Sequence, residues 1–372
     1  MKIQIARRWA AVAVGVTLLC GLPVIASALP VSVPSLTASQ LRGRILASAD
    51  ESYAGYAESN ATFGLPPVAG LSHLISLLDG VTKMRVWQAT PTRWRVDVLS
   101  DAGERDTYEL SGCRSYIWDS GDELLTEVRG RQTFRLPRPA DLVPPALAQR
   151  LLAEAGRQAR FRMIAPVRVA GQSAAGLRMT PADPESTVGE VDIWADPSSG
   201  LPLMVEIFTR GSGRPALKSQ FFQVSPWRPD PRVLTPVRAP GTGFTVTSAG
   251  SLAGALSNLG LVALPAELAG RGRQPVRPGF EEVGVYGGGL ATFVVLVVRG
   301  SAGRNLVADT LSAGGAALDL PGGAGALISA PLINAVIARP SGFFATFLLA
   351  GTVSAPVLEQ AAATLTEQVS LP

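Results

Sequence analysis

Apolar and polar residues alternate with a period of two through much of the first 225 residues. Met84-Arg85-Val86-Trp87 and Trp94-Arg95-Val96-Asp97-Val98 each read as a half-buried strand, with Thr90-Pro91-Thr92 as the turn between them. Asp106–Leu110, Arg114–Trp118 and Glu123–Val128 continue the pattern, punctuated by Asp101-Ala102-Gly103 and Asp119-Ser120-Gly121. This predicts a meander of antiparallel strands with one polar face. A second β block is predicted over Phe161–Ile164, Val167–Val169, Gly176–Thr180, Val188–Ala195, Leu203–Arg210 and Lys218–Val224. Asp196-Pro197-Ser198-Ser199-Gly200 turns between two of its strands.

Helical spacing is rarer. Ser35–Asp50 reads as a first helix, with Ser35, Thr37 or Ser39 as its cap and Leu41, Ile45 and Leu46 as its buried stripe. Tyr53–Phe63 then alternates as a strand. Residues 64–81 form a Gly/Pro/Leu-rich insertion with a short helix at Leu71–Leu78. Pro144-Pro145 opens an amphipathic helix over Ala146–Arg157, which places Leu147, Leu151, Leu152 and Ala155 on one side. Pro226–Gly243 has no periodicity and reads as a linker. Beyond it the pattern predicts a helix at Leu252–Leu259, strands at Gly284–Tyr286, Ala291–Val298 and Phe343–Ala350, and a last helix at Val357–Val369. Gly300–Gly325 reads as a Gly/Ala-rich loop.

The N-terminus carries Lys2, Arg7 and Arg8, then an uncharged apolar stretch from Trp9 to Leu22, then Ala26-Ser27-Ala28. This order predicts a secretory signal peptide over residues 1–28. The competing reading is an uncleaved anchor, because Trp9–Leu29 is long enough to span a membrane. Either one places the chain from about Leu29 onward outside the cytoplasm, in the periplasm or on the outer face of the membrane. Leu18-Leu19 before Cys20 argues against lipidation there. Removing residues 1–28 takes away three basic residues and no acidic ones, which leaves 30 basic against 29 acidic. The basic footprint needed for nucleic acid is then gone. All but three of the 33 basic residues are Arg, as expected of a GC-rich coding sequence. Cys113 alone remains after cleavage, so no internal disulfide forms, and its strand-like surroundings predict a small core residue.

The sequence holds little catalytic chemistry. His73 is the single His, and no G-x-S-x-G elbow exists. One His and one mature Cys cannot build a Cys/His metal cluster, and no D-x-D-x-D-G calcium loop is present. The carboxylates at Asp183, Glu185, Glu190 and Asp192 read as a solvated hairpin end. No Lys follows a Gly, which excludes a Walker loop, and the glycines at 287–289 and 322–323 fail the dinucleotide fingerprint. No catalytic residue, metal, cofactor or nucleotide is expected. The aromatic and Met residues on strands are more informative. Trp87, Trp94, Trp118, Met179, Trp194, Met204 and Phe208 are the candidates for an apolar cavity on a curved sheet, with packing against the two helices as the alternative.

Val191-Asp192-Ile193-Trp194-Ala195-Asp196-Pro197-Ser198-Ser199-Gly200-Leu201-Pro202-Leu203-Met204-Val205-Glu206 is similar to a hairpin of the LolA/MucB–RseB superfamily, in which a strand ends in Asp-Pro-x-x-Gly-Leu-Pro and returns. Val169-Ala170-Gly171-Gln172 followed by Leu177-Arg178-Met179 resembles another strand pair of that family. In the last third, Pro278-Gly279-Phe280, then Gly288-Gly289-Leu290-Ala291-Thr292-Phe293-Val294-Val295-Leu296-Val297, then Thr346–Val353 and a terminal helix resemble the small C-terminal domain of MucB/RseB regulators. Gly288 stands where that family has Asp, and the loop 300–340 is long.

The resemblance implies an α+β fold: a curved antiparallel half-barrel of about eleven strands with covering helices over residues 36–225, a linker at 226–243, and a small α+β domain over 244–372. It implies a non-enzymatic extracytoplasmic binding protein. The first reading is a regulator that senses envelope lipid or lipoprotein and contacts a membrane anti-sigma factor. The alternative is a LolA-like carrier of an acyl-chain lipid or lipoprotein.

Overall fold

The structure is a computed structural model and describes residues 31–64, 77, 79–101, 103–130, 137–238, 240–248, 263–275 and 283–369. The predicted signal segment, His73, most of the Leu71–Leu78 helix, the Leu252–Leu259 helix and Pro278-Gly279-Phe280 lie outside the described residues.

Helix α1 (Ala38–Ala47) starts at Thr37, whose hydroxyl accepts from Gln40 N while the Gln40 side chain accepts from Thr37 N. This reciprocal box satisfies two otherwise orphaned donors. Leu41 and Ile45 are fully buried, but Leu46 is 39% exposed. It follows Ile45 directly and so sits about 100° around the helix from the buried stripe. The strands that follow are β1 (Tyr53–Thr62), β2 (Asp79–Thr90), β3 (Arg93–Ser100), β4 (Gly103–Glu109), β5 (Arg114–Asp119) and β6 (Leu124–Arg129). Cys113 falls in the bend between β4 and β5 and is exposed, not a core residue, because the strand pattern breaks there. Helix α2 (Pro144–Ala153) buries Leu147, Ala148, Leu151 and Leu152.

Then come β7 (Arg160–Val169), β8 (Gln172–Thr180), β9 (Val188–Ala195), β10 (Pro202–Thr209), β11 (Pro215–Ser225) and β12 (Gly243–Ser248). All join one unclosed 12-stranded sheet in the order β12-β6-β5-β4-β3-β2-β1-β11-β10-β9-β8-β7. Every pairing is antiparallel except β12 with β6. The strand that starts the segment expected to be a second unit therefore completes the large sheet.

A six-stranded sheet forms from β15 (Val283–Gly288), β16 (Ala291–Arg299), β17 (Ala316–Leu320), β18 (Gly323–Ser329), β19 (Asn334–Pro340) and β20 (Ala345–Gly351), in the order β15-β16-β20-β19-β18-β17. A two-stranded ribbon, β13 (Glu267–Leu268) with β14 (Arg271–Gly272), precedes it. Helix α4 (Ala355–Val369) packs Leu358, Ala361, Ala362 and Leu365 into its core. The stretch 300–325, expected to be a loop, holds helix α3 (Gly300–Ser312) and two strands. Its glycines are close-approach positions: a Cβ on Gly303 would lie 2.5 Å from Val298 O, and one on Gly323 2.3 Å from Arg339 O. Composition disguises packed structure as flexibility here.

The Asp183–Thr187 loop joins the two sheets. Ser186 Oγ donates to Leu290 O at 2.7 Å, and Thr187 Oγ1 donates to Leu332 O at 2.7 Å. Thr187 N donates to Thr352 O, and Ser354 N donates to Glu185 O. Arg271 grips Asp183 at 2.8 Å. The carboxylates read as a solvated hairpin end thus divide: Asp183 and Glu185 meet the second sheet, while Asp192 is buried beside Arg178.

The Asp-Pro-x-x-Gly turn is similarly built in. Asp196 Oδ1 accepts from the backbone N–H groups of Ser198 and Ser199, and Gly200 takes φ +78° against α1. A Cβ there would sit 2.3 Å from Arg44 O. Gly200→Ala should cost about 3 kcal/mol in urea melts, because strain and a backbone clash coincide. Gly211 has the same φ with open space around it, so Gly211→Ala should cost only about 1 kcal/mol. Equal losses would refute a packing role for the turn.

Candidate functional site

Side chains alternate along each strand, so the sheet has two faces. One is covered by α1 and α2 and holds Tyr53, Ala57, Met84, Val86, Val96, Leu177, Ile193 and Val205. The register places a different set on the opposite face. One row reads Tyr56, Arg85, Asp97, Asp106, Trp118, Leu125 and Phe244 across β1 to β6 and β12. The next reads Ala54, Trp87, Arg95, Tyr108, Tyr116 and Glu127.

Two hollows lie on this second face. An open cleft of about 500 Å³ is lined by Tyr56, Arg85, Trp87, Leu99, Val224 and Trp227, among others. A smaller cavity of about 200 Å³ lies between the sheet residues Arg95, Asp106, Tyr108, Trp118 and Leu125 and the crossing segment Arg232, Thr235, Pro236 and Val237. That segment is tied down where Leu234 is buried and where Val233 O accepts from Arg95 Nη1.

Arg95 organises the charge. Its Nε donates to Asp97 Oδ1 at 2.5 Å and its Nη2 to Asp106 Oδ2 at 2.9 Å; Glu104 lies at 4.0 Å. The guanidinium also lies 5.1 Å from the Trp87 ring and 4.8 Å from the Tyr108 ring, a cation–π arrangement on both sides. Tyr108 Oη donates to Asp106 Oδ2. Burial pushes the Asp97 carboxyl up to about 8; the Arg95 hydrogen bond opposes this and Asp106 adds to it. Asp106 is raised too, again chiefly by burial. One guanidinium cannot compensate three carboxylates at this depth.

The seven candidate residues separate by face. Trp94 and Met179 lie on the helix-covered face; Trp94 is packed under Arg138, whose guanidinium is 4.6 Å from its ring. Trp194 and Met204 are neighbours on the opposite face but are buried, with Trp194 Nε1 donating to Ala165 O at 3.0 Å. Phe208 is half-buried under Arg178. Trp87 lines the cleft and Trp118 the smaller cavity. Tyr56, Arg85, Leu99, Arg95, Tyr108 and Trp227 were not singled out in the sequence. The parity of Arg85 and Leu99 relative to Trp87 and Arg95 was the available signal, since residues two apart on a strand share a face.

No protein-family model and no curated protein sequence matches the chain. Solved structures do. MucB in complex with MucA(peri) is 17% identical over 87% of this chain and 97% of that chain, at a TM-score of 0.49. The Pseudomonas aeruginosa MucA/MucB complex gives 18% identity, with 87% and 96% covered and a TM-score of 0.49. A LolA superfamily protein from Nitrosomonas europaea is 13% identical, with 54% of this chain and 99% of that chain covered, at a TM-score of 0.25.

The groups facing Asp97 are Arg95, Glu104 and Asp106, with Arg85 opposite it on β2 and Arg232 in the crossing segment. Its folded pKa is raised above the ordinary value of 3.8. The unfolded chain therefore releases this proton first as pH rises, and stability should fall between about pH 4 and pH 8. Urea melts across this range should show the fall, and Asp97→Asn should flatten it. A slope unchanged in the variant would contradict the assignment.

Proposed function

We propose that the chain is a non-enzymatic extracytoplasmic binding protein of the MucB/RseB kind, which takes an acyl-bearing envelope molecule at the Trp87 cleft and contacts a membrane anti-sigma factor. The cleft carries the reading. Trp87, Leu99 and Trp227 offer apolar surface, and the exposed Arg85 beside them offers a cation to an anionic headgroup. Its volume of about 500 Å³ falls within the roughly 300–1,000 Å³ common for small-molecule sites. Trp227 is 55% exposed, which is unusual for a Trp unless something covers it.

The C-terminal sequence resemblance supports the membrane partner, and the signal-like N-terminus supports the location. A single His and the lack of a nucleophile elbow argue against a hydrolase. The carrier reading uses the same cleft and differs in its outcome: a carrier delivers the acyl chain from one vesicle to another, whereas a sensor keeps it.

The test is titration of residues 29–372 with a fluorescent fatty acid. One probe per chain should bind, and Arg85→Glu and Trp87→Asp should each weaken binding about tenfold, equivalent to about 1.4 kcal/mol. Trp94→Phe, on the covered face, should leave binding unchanged. A protein that takes up no probe would overturn the cleft assignment.

A further inference from the structure

Asp97 and Asp106 are directly opposed across β3 and β4, with side chains only 1% and 5% exposed. Like charges in that register repel, and both are far from water. Arg95 uses one oxygen of each: Oδ1 of Asp97 and Oδ2 of Asp106. The other two, Asp97 Oδ2 and Asp106 Oδ1, are buried and accept from no N–H or hydroxyl group; the carboxyls of Asp97, Asp106 and Glu104 face one another instead. Leaving such oxygens unpaired is costly, so the group calls for a shared proton or a bound cation.

Glu104 completes the group. It offers a third carboxylate, and one oxygen from each of the three lies within 4.8 Å of the others. Fully ionised, three carboxylates against one guanidinium would leave a deficit of two positive charges, which a proton on Asp97 lessens and a bound cation would remove. Arg85 and Arg232 lie nearby, yet among the described residues neither makes an ion pair with the three carboxylates.

We propose that Asp97, Glu104 and Asp106 form a binding site for a divalent cation of the Ca²⁺ class, held between β3 and β4 at the edge of the cavity under residues 232–237. The spacing fits. Oxygens on opposite sides of a Ca²⁺ ion lie about 4.6–5.2 Å apart, and adjacent ones closer, so the strands need not move. The donors are hard oxygens only, which disfavours zinc and copper. Three protein ligands leave coordination positions for water, and the 200 Å³ cavity lined by Asp106 supplies room for it. The tighter octahedron of Mg²⁺ suits this uneven set less well. The site stands whether or not the neighbouring cleft takes a ligand.

The experiment uses the EDTA-treated protein titrated with Tb³⁺, excited through Tyr108, whose hydroxyl lies 3.2 Å from Asp106. Sensitised emission should saturate at one ion per chain, and Ca²⁺ should displace it with a Kd of about 10⁻³ M or tighter. Glu104 is 37% exposed, so Glu104→Gln will fold; it should weaken binding about tenfold through the lost ligand charge. Asp97→Asn should abolish binding, and if that variant misfolds, Glu104→Gln decides alone. No saturable emission, or binding unchanged in Glu104→Gln, would overturn the site and would leave a shared proton between the carboxylates as the better account.

Discussion

A strand can hide only half of its side chains against any one partner layer, and this chain has helices to cover one face of a 12-stranded sheet. Leu41, Ile45, Leu147 and Leu152 serve that face. Among the described residues no helix covers the other face; the crossing segment at 232–237 lies over part of it, and arginines satisfy much of the rest. Arg95 bridges Trp87, Tyr108, Asp97 and Asp106; Arg114 and Arg129 both grip the buried Glu127; Arg178 holds Asp192 and lies over Phe208. A planar guanidinium can stack on a ring and serve two carboxylates at once, which an ammonium cannot do as well. The hollows on this face sit among those charges and are therefore both apolar and ionic.

Much of the fold was legible. The two β blocks, both described flanking helices and the Asp196–Gly200 turn follow from period and turn residues, and the cap of the first helix narrows to Ser35, Thr37 or Ser39, of which Thr37 serves. The site was less so. Trp94 and Trp118 look alike in sequence, yet one is core and one lines a cavity, because the decisive fact is which parity faces the helices. That fact is set by pairing between distant strands. Trp227 escaped because it lies in a segment with no period at all. Residues 300–340 escaped for a different reason: their many Gly and Ala residues read as loop composition, yet these small side chains let backbones approach closely in packed strands and a helix.

The Asp183–Thr187 loop shows how local chemistry can mislead. A cluster of Asp, Glu, Ser and Thr between strands suggests solvent. Here the polar groups are spent on backbone carbonyls at the strand ends and turns of the second sheet, at Leu290, Leu332 and Thr352. Hydrogen bonds to fixed main-chain acceptors define orientation more sharply than apolar contact does. The two sheets therefore meet through a polar seam, and Leu332 still reaches into the larger core.

The parallel strand β12 has a consequence for biogenesis. It lies beyond the segment that crosses the sheet, yet it pairs with β6, more than a hundred residues earlier in the chain. β1 likewise waits for β11. Such distant pairings make folding slow, since loops must close before contacts repay them. Until residue 248 emerges, β6 presents an open edge to any neighbouring chain. A fragment that stops at the apparent end of the β block, near residue 225, would thus be a sticky intermediate and not a minimal domain.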